Sequence, residues 1–140
     1  MRTTLLRCLF LLLALTLACG GAAAKKKPAK LLELTLYTYS GAIRWGDFDR
    51  AYDYIDPADR AEHPMSDIDR ARYKQVEVTR YEIKARSDTA DSVDRQVEIG
   101  LVNRNTQTER SISHHEHWRW DPKAQSWWLT TGLPDITAKE

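Results

Sequence analysis

Residues 114 to 128 read His-His-Glu-His-Trp-Arg-Trp-Asp-Pro-Lys-Ala-Gln-Ser-Trp-Trp, which places three imidazoles, one glutamate and four indoles within fifteen positions. On a strand, successive side chains take opposite faces. His115 and His117 then share one face with Cβ atoms about 7 Å apart, a spacing at which two imidazoles can share a metal. A zinc site needs three or four protein ligands. The next residue on that face is Arg119, a cation, so the pair falls short of a metal centre by itself. His114 and Glu116 take the other face with Ile112, Trp118 and Trp120. Buried there, a carboxyl with a raised pKa beside an imidazole would form an acid–base pair. The same two residues also fit a salt bridge at a strand end.

The aromatic residues pose a parallel choice. Tyr39, Trp45, Tyr52, Trp118 and Trp120 are the ligand-pocket candidates, since apolar cavities with a few polar groups are the usual small-molecule sites. Tyr39 and Tyr52 join His114 and Glu116 as the polar groups that a catalytic cavity would use. The other possibility is plain core filling, each large ring burying about 150–250 Å². No motif in the chain calls for a cofactor.

These residues need elements to position them. Leu32, Leu36, Tyr39 and Ile43 fall at i, i+4, i+7 and i+11, the stripe of a helix of about four turns. Gly46 ends it and Asp47 caps the next helix, where Phe48, Ala51, Tyr52 and Ile55 repeat the pattern up to Asp56-Pro57. Pro57 opens a short third helix, and Ser66 with Asp69 forms a capping box before a fourth helical turn. From Lys74 the period shifts toward 2. Val76 and Val78 differ in parity from Tyr81, Ile83 and Ala85, which predicts a β-bulge near Thr79-Arg80. Val93, Val97, Ile99 and Leu101 mark a second strand. A third runs from about Glu109 to Trp120 and a fourth from about Ser126 to Thr131. Helices first, then an antiparallel meander, predicts an α+β domain in which a bent sheet of about four strands wraps the helices. Trp118 and Trp120 are expected to face the first helix with Ile112, and Trp127 and Leu129 to extend that layer. Trp128 takes the other face, exposed or covered by a partner subunit.

The N-terminal residues specify a destination. Arg2 and Arg7 precede an uncharged apolar run from Cys8 to Ala18. It is short for a membrane span of about 20 residues and matches a signal h-region of roughly 7–15 residues. The run ends in Leu15-Thr16-Leu17-Ala18-Cys19-Gly20, which resembles a bacterial lipobox with Cys19 as the acylated residue. Cleavage in Ala22-Ala23-Ala24 is the alternative and would leave a soluble periplasmic protein. The organisation expected is a signal peptide at 1–18, a lipidated cysteine and basic tether at 19–30, and one domain at 31–140. That domain carries 15 bases against 20 acids, a net −5, which argues against nucleic acid as a partner. With both cysteines in the leader region, the domain has no disulfide and must be held by core burial.

The helix hairpin "LLELTLYTYSGAIRWGDFDRAYDYID", the short third helix and the closing "WRWDPKAQSWWLTTG" together resemble the nuclear transport factor 2-like superfamily, with its ketosteroid-isomerase-like cone, over roughly residues 31–134. More narrowly, the chain is similar to proteobacterial lipoproteins of that fold. The resemblance implies a cone of helix and curved sheet, and for catalytic members an acidic base with a tyrosine or acid as oxyanion donor. It also makes the open sheet face a candidate homodimer surface. No motif carries the catalytic roles over position by position. Glycine after Cys19 implies, by likeness to Gram-negative lipoproteins, the periplasmic side of the outer membrane. The expectation is a non-enzymatic lipoprotein whose domain binds a small molecule or a periplasmic protein. The alternative is a small isomerase, dehydratase or hydrolase using a carboxylate in the cone.

Overall fold

The computed structural model describes residues 28–138; the leader, Cys19 and the tether before Pro28 lie outside the described residues. Helix α1 (Pro28–Arg44) buries Leu32, Leu36, Tyr39, Ala42 and Ile43, the stripe that its periodicity requires. It closes on Gly46 at φ 70°, with Gly46 N donating to Ile43 O and Asp47 N to Ala42 O. That is a Schellman end, and only glycine adopts its left-handed residue without strain. Asp47 then caps α2 (Phe48–Tyr52) by accepting from Arg50 N. Asp56 caps α3 (Pro57–Glu62), with Pro57 in its first turn. The Ser66–Asp69 capping box opens α4 (Asp67–Tyr73) as expected. Among the described residues, no helix is long and apolar enough to cross a membrane.

Four strands follow, β1 (Val76–Asp88), β2 (Ser92–Asn103), β3 (Glu109–Asp121) and β4 (Ser126–Leu129), in the antiparallel order β1-β2-β3-β4. The domain is thus α+β, with a bent sheet closing over α1. The register of β1 on β2 shifts between Val78 and Arg80, at the expected bulge, and again between Ile83 and Ala85. Gly100 lies under the first shift. A Cβ there would stand 2.8 Å from Thr79 Oγ1 and 3.1 Å from Arg80 Cβ, so the bulge leans directly on the glycine.

Three expectations are corrected. The second helix stops at Tyr52 rather than Ile55, because Tyr54–Asp56 leave it to pair with the edge of β4. Ile55 bridges Leu129 in parallel, Leu129 N donates to Tyr54 O and Asp56 N to Leu129 O. Along β1, Tyr81 is buried but Ile83 and Ala85 are exposed, because they flank a second register shift on the edge strand, where the Tyr81 parity no longer faces the core. Trp118, Trp127 and Leu129 are buried as parity predicts. Trp120 is only half-buried, near the end of β3, where its ring packs on Trp127 at 5.5 Å between centroids.

Candidate functional site

The interior of the cone holds a charged cluster. On β2, Arg95 sits between Val93 and Val97 on the inward parity; on β3, Glu116 sits between His114 and Trp118. The register pairs Arg95 directly with Glu116, and both side chains are sequestered from solvent. Arg95 donates from Nε to Glu116 Oε2 at 2.9 Å and from Nη2 to the same oxygen. Trp118 Nε1 donates to Oε2 at 3.0 Å. The Tyr81 hydroxyl donates to Glu116 Oε1 and accepts from Arg95 Nη2 at 2.9 Å. Arginine, tyrosine and glutamate therefore close a ring of charge-assisted bonds that occupies both carboxylate oxygens. Burial, and then the nearby Glu116 charge, push the Tyr81 phenol up, so it remains a proton donor.

The cluster is sealed. Tyr39 from α1 packs its ring edge-on against Trp118 at 5.0 Å and against Tyr54 at 6.0 Å. Tyr39 is fully buried, its hydroxyl makes no hydrogen bond among the described residues, and burial raises its pKa well above the ordinary phenol value. His114 is buried, its Nε2 has no partner among the described residues, and burial lowers its pKa, so its ring is neutral near pH 7. Glu116 itself has no surface open to solvent.

The candidate residues thus separate. Tyr39, His114, Glu116 and Trp118 lie together in the closed interior. Tyr52 is half-buried and ties the loop between α3 and α4, its hydroxyl accepting from Met65 N at 3.1 Å and donating to His63 O at 3.3 Å. Trp120 stands at the sheet end. Trp45, in the turn that closes α1, is 89% exposed. Trp128 is half-buried by its own chain, in a depression it shares with Leu31, Arg50, Asp53 and Tyr54.

The outward face of the sheet carries the other histidines. Asp94, opposite His117 in the register, receives both rings on one oxygen, His115 Nε2 at 3.0 Å and His117 Nδ1 at 2.9 Å. Those bonds, His117's first, hold the Asp94 carboxyl below its usual range. Among the described residues, no group of three or more His, Cys, Asp or Glu side chains is arranged to hold a metal ion. Beside the trio, Glu98 pairs with Arg80 and Lys84, Gln96 with Ser113, and Arg119 with Asp56.

Open space lies instead between the short helices and the segment after β4. A groove of about 380 Å³ is walled by Tyr52, Ile55, Met65, Tyr73 and Leu133, with Asp59 and His63 at its rim, 3.2 Å apart. Tyr73 donates to Pro134 O at 3.1 Å, which pins the C-terminal segment along the groove, and burial raises its phenol to about 12. An apolar wall with an acid and an imidazole at the lip can hold an apolar group bearing a polar or cationic end.

Arg95 and the groove escape the sequence reading. Arg95 carries a visible signal, since it occupies the same strand parity as Val93, Val97 and Ile99. A charge in phase with a core stripe implies a buried partner. The groove has no such signal, because its walls come from four separate segments.

No protein family model matches the chain, and no curated protein matches it. Solved structures do. A SEC-C motif-containing protein from Rhodopseudomonas palustris superposes with TM-score 0.57 at 16% identity, over 72% of this chain and 76% of that one. A putative NTF2-like transpeptidase from Campylobacter jejuni matches with TM-score 0.42 at 15% identity, over 70% of this chain and 95% of that one. At these identities the likeness is one of fold.

Proposed function

We propose that this is an exported lipoprotein, acylated on Cys19 and held at the periplasmic face of the outer membrane, whose domain binds a ligand or partner without catalysing a reaction. The observation that carries the non-catalytic half is the state of Glu116. A carboxylate base needs a free oxygen facing a cavity within hydrogen-bond reach of substrate. Here both oxygens are engaged by Arg95, Tyr81 and Trp118, and Trp118 and Tyr39 fill the space in front. The binding site we assign is the groove between Tyr52, Met65, Tyr73 and Leu133, for an apolar group with a polar or cationic end. The anchoring half rests on the run from Cys8 to Cys19 and the basic tether that follows.

Native mass spectrometry of the full chain extracted from its own membranes tests both halves. The expected result is a chain beginning at an acylated Cys19, carrying a bound molecule that is lost in Met65→Ser. A mature chain cleaved after Ala24 without added acyl mass would overturn the anchor. An adduct unaffected by Met65→Ser but turned over to a new mass, with turnover abolished by Glu116→Gln, would overturn the non-catalytic reading.

A further inference from the structure

Helix α1 is apolar on two sides. The inner stripe of Leu32, Leu36, Tyr39 and Ile43 is consumed by the core. The opposite side, at i, i+4, i+7 and i+11, reads Lys30, Leu34, Tyr37 and Gly41, and Trp45 continues it in the closing turn, its N donating to Gly41 O. Leu34 is 58% exposed, Tyr37 78% and Trp45 89%. Tyr37, Thr38, Gly41, Trp45 and Arg50 line one shallow depression of about 560 Å³. Large apolar groups exposed side by side mark a surface meant to be covered.

We propose that this outer face of α1 lies against the lipid bilayer that holds the anchor, with Tyr37 and Trp45 seated at the headgroup level. The proposal rests on the lipid-anchored reading above. Four observations choose lipid as the occupant. Tyrosine and tryptophan are the side chains that favour a membrane interface, where one end of the ring is apolar and the other wet. Eight residues lie between Cys19 and Pro28, a reach of at most about 30 Å. The helix itself is 17 residues, roughly 26 Å long, so its whole length can come down on the surface. Charge agrees: Lys25, Lys26 and Lys27 precede the helix, and Lys30 and Arg50 are exposed beside the face. The neighbouring acids are engaged elsewhere, Glu33 with Arg86 at 2.7 Å and Asp47 as the cap of α2. Finally, Gly41 is a poor helix former in the last turn of α1, yet among the described residues a Cβ there would meet nothing within 4 Å. The chain's own packing gives no reason for it, whereas an occupant pressing between the Tyr37 and Trp45 rings does. A second copy is the weaker occupant. Leu34, Tyr37 and Trp45 together expose on the order of 500 Å², short of the roughly 800 Å² per partner of a stable interface.

The test reconstitutes the full chain into vesicles of phosphatidylethanolamine and phosphatidylglycerol, part of it brominated high on the acyl chain. Wild-type tryptophan emission is expected to be quenched, Trp45→Phe to lose most of that quenching, and Leu34→Ser with Tyr37→Ser to weaken it. These are solvent-exposed positions, so circular dichroism should be unchanged. Quenching that is absent, or equal in Trp45→Phe and wild type, overturns the proposal. So does an unquenched chain that forms a dimer lost in Trp45→Phe, which would assign the face to a second copy. The intact mass of the same preparation separates the two claims. An acylated chain with unquenched Trp45 sinks the face alone, while an unacylated chain whose Trp45 is still quenched sinks the anchor alone.

Discussion

Strand β3 presents two sets of titratable side chains one residue out of phase. Inward it carries His114 and Glu116, outward His115, His117 and Arg119. The residue types are nearly the same, and each face has an opposite charge supplied by β2, Arg95 on one side and Asp94 on the other. Solvent makes the difference. Inside, every bond of Glu116 substitutes for lost water, and removing one partner strands a charge. Outside, Asp94 and its two histidines keep access to solvent, and each bond is traded almost evenly against hydration. Charge pairing is structural on one side of the strand and nearly free to vary on the other.

The sharpest way to break that contrast is Arg95→Met. It leaves the Glu116 carboxylate buried and unpaired, and should cost about 3–5 kcal/mol in chemical denaturation. Arg95→Met combined with Glu116→Gln should recover much of the loss, since no buried charge then remains. If the single change costs no more than a surface substitution, the two faces do not differ as described.

Histidine gives a middle-sized effect with a definite sign. Burial holds His114 below its ordinary value in the folded chain, so the unfolded chain takes up the proton first. Stability from this residue is complete above the ordinary histidine pKa of about 6.5. It falls as pH drops from there toward the folded value, and levels off below it. His114→Gln should flatten this part of the stability profile, measured by urea titration at a series of pH values. An unchanged slope would mean that another group titrates there.

The smallest expected effect is on the outer face. Asp94→Asn should change stability by less than about 1 kcal/mol, and the difference should shrink further in high salt. The Asp94 carboxyl is held low by His117 and His115, so its contribution is present above the ordinary carboxylate range and lost as pH falls through the lowered value. A cost matching that of Arg95→Met would erase the distinction between the two sides of β3.

The elements were legible in the chain where the signal is local. The α1 stripe, the Gly46 end, the Asp47 cap, the Ser66–Asp69 box and the bulge at Thr79-Arg80 all involve residues within a few positions of one another. What was missed depends on register or depth. Parity assigned Trp120 a side but not a depth, and near the end of β3 the core is thinning. Asp94 joins His115 and His117 only through the β2–β3 register, so residues close in sequence offered no third polar partner. The pairing of Ile55 with Leu129 joins distant segments and carries no periodic mark. Within the candidate site, the clustering of Glu116, His114 and Trp118 could be read from alternation. Their closure by Arg95 and Tyr81 could not, because it requires three strands in register.

The two rims of the sheet are finished differently. At β4, the Tyr54–Asp56 segment takes up the backbone groups of Leu129. At β1, no further strand among the described residues pairs on the outer side, and its last seven residues, Glu82 to Asp88, are exposed. A bare strand edge invites addition of a strand from another molecule, the first step of fibril growth. This rim alternates Glu82, Lys84, Arg86 and Asp88, with Lys84 and Arg86 already bound to carboxylates at each flank. Docking a foreign strand there would mean dismantling those pairs and burying their charges. The charges of this stretch therefore make strand addition at the open rim costly.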